Sequence, residues 1–161
     1  MDKLTSQKRS ENMGRIRSKD TKPELIVRKY LYSKGFRYRL HSRMLPGKPD
    51  IVLPKYKAIL QINGCFWHYH ECKYMRIPLS NSMYWETKLQ RNRDRDVVNN
   101  KILMEMGWRV LIIWECALKY ASASSRIEIL KKIESWVTSA QNYDEISHHD
   151  HRLNNQIDLN A

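Results

Sequence analysis

No apolar run in the chain is long enough to cross a membrane. The longest, "VLII" at 110–113, falls far short of the roughly 20 residues that a spanning helix needs. The opening "MDKLTSQKRSENMGRIRSKD" lacks the apolar core of a secretory signal and is charged throughout, so the expected location is the cytoplasm. Cysteine is scarce: Cys65, Cys72 and Cys116 are an odd set, which argues against a disulfide framework, and no redox C-x-x-C is present. Internal repeats and low-complexity blocks are absent. Acidic residues are the under-represented charge, with 17 Asp and Glu against 29 Lys and Arg for a net charge of +12. A chain this basic is a candidate nucleic-acid binder, because each cation that neutralises a phosphate releases condensed counterions. Residues 1–43 hold thirteen of the basic residues and only four acids, so the partner should meet the N-terminal third.

What is present fits one domain: 161 residues with 42% hydrophobic content can bury one core, and are too few for two ordinary ones. Residues 1–20 read as a basic arm that orders on a partner, 21–141 as the folded domain, and 142–161 as a loose polar tail. "TKPELIVRKYLYSKGF" predicts a helix, with Pro23 in its first turn, an apolar stripe of Leu25, Ile26, Tyr30 and Leu31, and Gly35 as the stop. "FRYRLH" alternates like a half-buried strand, and "DIVLP" and "AILQIN" read as two strands joined by a tight turn. "SMYWETKLQRNRDRDVVNNKILMEMGW" predicts a long charged helix with a stripe at Leu89, Val97, Ile102 and Met106, closed by Gly107. "WRVLIIWE" is nearly all apolar, as expected of a strand covered on both faces, and "SRIEILKKIESWVTSA" predicts a last helix. The expected class is a mixed α/β layered domain.

Two constellations carry chemistry. Cys65, His70 and Cys72 lie five and two residues apart, and Cys116 follows the apolar strand; together they form a Cys3His set suited to a structural Zn2+. His68 competes with His70 for that role, since in an extended segment both would point the same way. Asp50 follows a proline at a strand start, a common place for a nuclease to hold Mg2+, although a turn carboxylate is the plainer reading. Glu24 could reach the same ion through water, or simply face solvent in a first helical turn. The tail histidines His148, His149 and His151 could bind metal, but a polar tail explains them as well.

The segments "NMGRIRSKDTKPE", "RLHSRMLPGKPDIVLPKYKAIL", "NGCFWHYHEC", "YWETKLQRNRDRD" and "GWRVLIIWECAL" resemble, in order and spacing, the very short patch repair DNA mismatch endonucleases of bacteria. The resemblance covers roughly residues 10–120 and implies a restriction-endonuclease-like PD-(D/E)XK fold, a mixed sheet flanked by helices with a structural zinc site. It implies an enzyme that nicks duplex DNA on the 5′ side of the thymine in T:G mismatches left by 5-methylcytosine deamination. By the same resemblance Asp50 and the backbone carbonyl of Ile62 bind Mg2+, His68 activates the attacking water, and Glu24 assists through water. Cys65, His70, Cys72 and Cys116 match zinc ligands; Phe66, Trp67 and Trp85 match aromatics that wedge into the duplex; Met13 matches an arm residue in the minor groove. The implied setting is a bacterial nucleoid, a monomer on DNA, and functional links to a cytosine-5 DNA methyltransferase and mismatch-repair proteins.

The sequence also departs from that pattern. Asn63 stands where the best-known pattern has a histidine, and "LQIN" offers Gln61 and Asn63 in place of the superfold's acid and lysine. Asparagine donates a hydrogen bond but not a proton, so His68 would carry the acid–base role alone. Two alternatives remain at this level: a Mg-dependent nuclease of broader specificity tied to a restriction-modification system, and a non-catalytic zinc-stabilised DNA-binding module.

Overall fold

The computed structural model describes residues 5–148. Their order is α1 (Ser6–Arg15), α2 (Lys22–Ser33), β1 (Arg39–Leu40), β2 (Ile51–Leu53), a 3-10 turn (Pro54–Tyr56) and β3 (Ala58–Asn63). Then come α3 (Ser82–Glu105), β4 (Arg109–Trp114), α4 (Glu115–Lys119), α5 (Ala123–Thr138) and β5 (Tyr143–Ile146). The sheet runs β1-β2-β3-β4-β5, antiparallel across its first two pairings and parallel across the last two.

Side-chain alternation divides the strands between two cores, giving three layers. On one face Leu111, Ile113 and Leu60 pack with Val27 and Leu31 of α2 and with Ile129, Ile133 and Trp136 of α5. On the other, Val110, Ile112, Trp114 and Ile59 meet Leu103 of α3 and the three cysteines. β4 lies between β3 and β5, and its residues beyond Arg109 are buried, as its apolar sequence implies.

The two glycine stops act as expected. At Gly35 and Gly107, φ values of +89° and +91° reverse the chain at almost no steric cost. The N–H groups of Phe36 and Trp108 then close back on the Leu31 and Leu103 carbonyls at 3.0 Å in both cases, satisfying groups that a helix end leaves open. At the far rim of the sheet, Arg109 donates to the carbonyls of Tyr56, Trp136, Val137 and Gln141, tying the 3-10 turn to the end of α5.

Several expectations are corrected. On α2 the fully buried residues are Glu24, Val27 and Leu31; Ile26 and Tyr30 of the expected stripe pack against the core half-buried, and Leu25 does not join it. In α3 only Leu89 of the expected stripe is buried; Val97, Ile102 and Met106 are 62%, 38% and 50% exposed. The inward face follows Leu89, Asn92, Asp96, Asn100 and Leu103, steps of three and four residues with a polar middle. The arm's segment Ser6–Arg15 is helical with no buried residue, in keeping with the helical potential and scarce apolar material of its sequence. Tyr143–Ile146 forms an edge strand on β4 where a loose tail was expected from residue 142. His149 and His151 lie outside the described residues. Among the described residues no helix is long and apolar enough to cross a membrane.

Candidate functional site

The antiparallel β2–β3 pair and the parallel β3–β4 pair bring the start of β2 and the ends of β3 and β4 to one rim. At that rim Asp50 Oδ2 accepts the Ile62 backbone N–H at 2.8 Å, locking one strand's start to the next strand's end. Burial pushes the Asp50 carboxyl up to about 6; the Ile62 N–H opposes the shift and the Glu24 charge adds to it. His41 spans the two acids, with Nδ1 3.9 Å from Asp50 Oδ1 and Nε2 3.0 Å from Glu24 Oε1, the latter at an angle that makes no hydrogen bond.

Glu24 is only 1% exposed, which excludes the solvent-facing reading of a first-turn glutamate. Its Oε2 accepts the Asp20 N–H at 3.0 Å, and Arg28 Nη1 lies 3.4 Å from its Oε1 and 2.6 Å from Asp20 Oδ1. The guanidinium holds the Asp20 carboxyl below its ordinary value. Asp20, Glu24 and His41 thus form a second acidic and imidazole group beside Asp50, with ligand atoms within 4.8 Å of one another.

The loop after β3 is not extended. The His68, Tyr69 and His70 amides close back on the Gly64, Phe66 and Cys65 carbonyls at 3.2, 3.2 and 2.9 Å, and Tyr69 takes a left-handed φ of 52°. This winding makes the two histidines diverge. His68 Nδ1 lies 2.5 Å from Asp96 Oδ2 on α3, whereas His70 Nδ1 lies 3.4 Å from Cys65 Sγ and 3.7 Å from Cys116 Sγ. α3 also holds the loop one residue earlier, where Asn92 Nδ2 donates to the Trp67 carbonyl at 3.1 Å. With Asp96 ionised, the Nδ1 proton of His68 is directed at the carboxylate and Nε2 is left as the basic nitrogen.

Cys65, His70, Cys72 and Cys116 place one ligand atom each within 4.8 Å of the others, so the cluster can hold a metal ion. The two edges from His70 Nδ1, at 3.4 and 3.7 Å, are of the length a tetrahedral site allows. A tetrahedron with Zn–S near 2.3 Å and Zn–N near 2.0 Å has edges of roughly 3.5–3.8 Å. Without a cation the crowded thiols compete: Cys65 is pushed up by its contact with Cys116 and by burial, while Cys116 is held below the ordinary thiol value by hydrogen bonds from Cys65 and His70. A divalent cation removes that conflict by favouring every thiolate. The His70 ring stacks on Trp114, centroids 4.0 Å apart, which fixes its plane.

Between the loop and the N-terminal segment runs a cleft of about 1040 Å³, lined by Met13, Ile62, Phe66, Trp67, His68 and Trp85 among others. Phe66 packs edge-on against Trp67 and Trp85 at centroid distances of 5.0 and 5.4 Å, and Lys88 lies 5.7 and 5.3 Å from the two indole centroids. Every sequence-predicted site residue therefore lies at the rim, in the cleft or in the cluster beneath it. Sequence reasoning missed Asp96, His41 and Asp20. For Asp96 a signal existed, since it shares the helical face of Leu89, Asn92 and Asn100; for His41 and Asp20 none did.

A family model described as DNA mismatch endonuclease Vsr matches residues 1–74. The type II nicking enzyme V.NmeAIP of Neisseria meningitidis serogroup A is 48% identical over 118 residues, which are 73% of this chain and 84% of that protein. V.XorIIP of Xanthomonas oryzae pv. oryzae, also named a type II nicking enzyme, is 44% identical over 73% of this chain and 86% of its own. DNA mismatch endonuclease Vsr of Escherichia coli K12 is 36% identical over 84% of this chain and 85% of its own. With relatives this similar over most of its length, the chain belongs to the Vsr family of DNA mismatch endonucleases.

Proposed function

We propose that the protein is a Mg2+-dependent endonuclease that nicks duplex DNA on the 5′ side of the thymine in T:G mismatches. The observation that supports it best is the pairing of Asp50, bonded to Ile62, with the His68–Asp96 dyad beside an aromatic-walled cleft. A half-buried carboxylate with one N–H donor and a raised pKa lacks a full positive partner, so an oxygen-seeking divalent cation fits it. Asp50 and the Ile62 carbonyl would hold Mg2+, which supplies charge stabilisation at the scissile phosphate. His68, oriented by Asp96, takes the proton of the attacking water through Nε2. Glu24, buried and fixed by Arg28, holds water at the same edge. Asn63, 5% exposed, cannot move a proton, so the acid–base work falls to His68.

Phe66, Trp67 and Trp85 form the wedge, with Met13 across the cleft on the arm. A T:G wobble pair is less well stacked than its neighbours, so inserting an aromatic there gives up less stacking energy, a few kcal/mol per step at most. Cys65 and His70, on either side of Phe66 and Trp67, would hold a structural Zn2+ with Cys72 and Cys116, and the bound ion would keep the wedge rigid. The enzyme works as a monomer, with the basic first third on the phosphates.

Nicking of supercoiled plasmid and of T:G and matched duplexes, with Mg2+ or with chelator, tests this. Wild type should nick the T:G duplex in Mg2+ alone, and Asp50→Ala and His68→Ala should both be inactive. Activity surviving in Asp50→Ala would overturn the metal site. Equal nicking of matched duplex would favour a nuclease of broader specificity tied to restriction and modification. DNA binding with no cleavage at all would leave a zinc-stabilised binding module.

A further inference from the structure

The segment after β5 reaches back over the metal cluster. His148, two residues beyond that strand, donates its backbone N–H to Cys116 Sγ at 3.4 Å. Its ring Nε2 lies 3.2 Å from the Tyr74 hydroxyl, and the Tyr74 ring stacks on Tyr120 with centroids 3.6 Å apart. Tyr74 follows Cys72 by two residues, and both tyrosines line the cleft. One residue thus touches a cluster ligand through its backbone and the cleft wall through its side chain. β5 holds it in place: Ile146 is buried and pairs with Ile113, and Glu145 accepts the Trp114 indole N–H at 3.0 Å.

We propose that His148 is a positioning residue of the metal cluster, retaining the ion through its N–H···S hydrogen bond and bracing the Tyr74–Tyr120 wall through its ring. An N–H donated to a coordinating thiolate lowers the charge density on sulfur and fixes the thiolate's direction, and outer groups of this kind typically change metal retention by about 10–100-fold. The two contacts are separable. His148→Pro removes the N–H, whereas His148→Ala keeps the N–H and loses the ring. The proposal rests on the cluster reading above, so the test measures both.

The full-length protein is loaded with 113Cd, its stoichiometry is measured, and scalar coupling from the metal to backbone amide protons is recorded. One ion per chain, with coupling to the His148 amide, is expected. One ion without that coupling overturns the role of His148 and leaves the cluster intact; failure to retain any ion overturns both. Zinc release to a chelator is the second readout. His148→Pro should release at least about 10-fold faster than wild type, while His148→Ala and Tyr74→Phe should stay within about 3-fold of it. Release from a folded His148→Pro at the wild-type rate overturns the proposal, and circular dichroism and melting establish that the variant is folded.

Discussion

Asp50, the carboxylate proposed to hold Mg2+, opposes the stability of the metal-free fold. Its folded-state value of about 6 lies above the ordinary carboxylate value, so the metal-free native state binds this proton more readily than the unfolded chain does. Its stability contribution is therefore complete below about pH 4 and lost as pH rises through 6; ionised at neutral pH, Asp50 costs about 3 kcal/mol. Asp50→Asn keeps an oxygen acceptor for the Ile62 N–H and removes the charge. The variant should melt several degrees above wild type at pH 7.5 in chelator, with a gap that closes near pH 4, and should be inactive. Added Mg2+ should raise the wild-type melting temperature only, and identical melts of the two proteins at pH 7.5 would refute the account. Asp96→Asn addresses the other half of the site. Losing the tautomer that directs His68 Nε2 should lower kcat about 10²–10⁴-fold with little change in KM for T:G duplex, and single-turnover kinetics would show it. At this scale Asp50 was legible as a carboxylate at a strand start, and the resemblance supplied the role proposed for it. His41 and Asp20 were not legible, because their importance arises from which elements meet at the rim.

At the scale of elements, α3 was correctly expected as a helix and given the wrong inner face. Apolar periodicity finds the side of a helix that meets a hydrophobic core, but the middle of α3 meets the polar end of β3 and the loop that follows it. There Asn100 Oδ1 accepts from Gln61 Nε2 at 2.9 Å, and Asp96 and Asn92 hold the loop. Exposed Val97 should accept glutamate within about 0.5 kcal/mol. Asn100→Leu strands the buried Gln61 amide and should cost about 1–3 kcal/mol. Urea denaturation of both variants decides the matter, and a tolerated Asn100→Leu would return the inner face to the apolar stripe. The loop of residues 64–72 was legible in composition, but its own residues left its direction open, and only the resemblance assigned His70 to the cluster. Whether His68 or His70 faced the cluster depended on a left-handed Tyr69, and tyrosine carries no sequence signal for that conformation.

For the whole molecule, charge asymmetry and layer order were readable from the sequence, while the sheet's far edge was not. β5 is four residues with only Ile146 buried, too short and too polar to separate from a tail. The basic first third predicts strong salt dependence. Replacing Arg15, Arg17 and Lys19 by glutamine should weaken binding to mismatched and matched duplex alike and reduce the log–log salt slope by up to about 0.9 per cation in contact with phosphate. Fluorescence anisotropy across a salt series measures it, and an unchanged slope would move the phosphate contacts elsewhere.

The rim opposite the chemistry has a practical consequence. Lys55, Lys57, Gly107 and Gln141 are exposed there, at the turns that precede β3, β4 and β5, while Arg109 braces the backbone beneath them. An affinity handle placed at Lys55 would anchor the protein to a glass surface with its cleft turned toward the solution. Individual DNA molecules could then be watched as they arrive and are cut, with the tether on the side of the sheet away from the site.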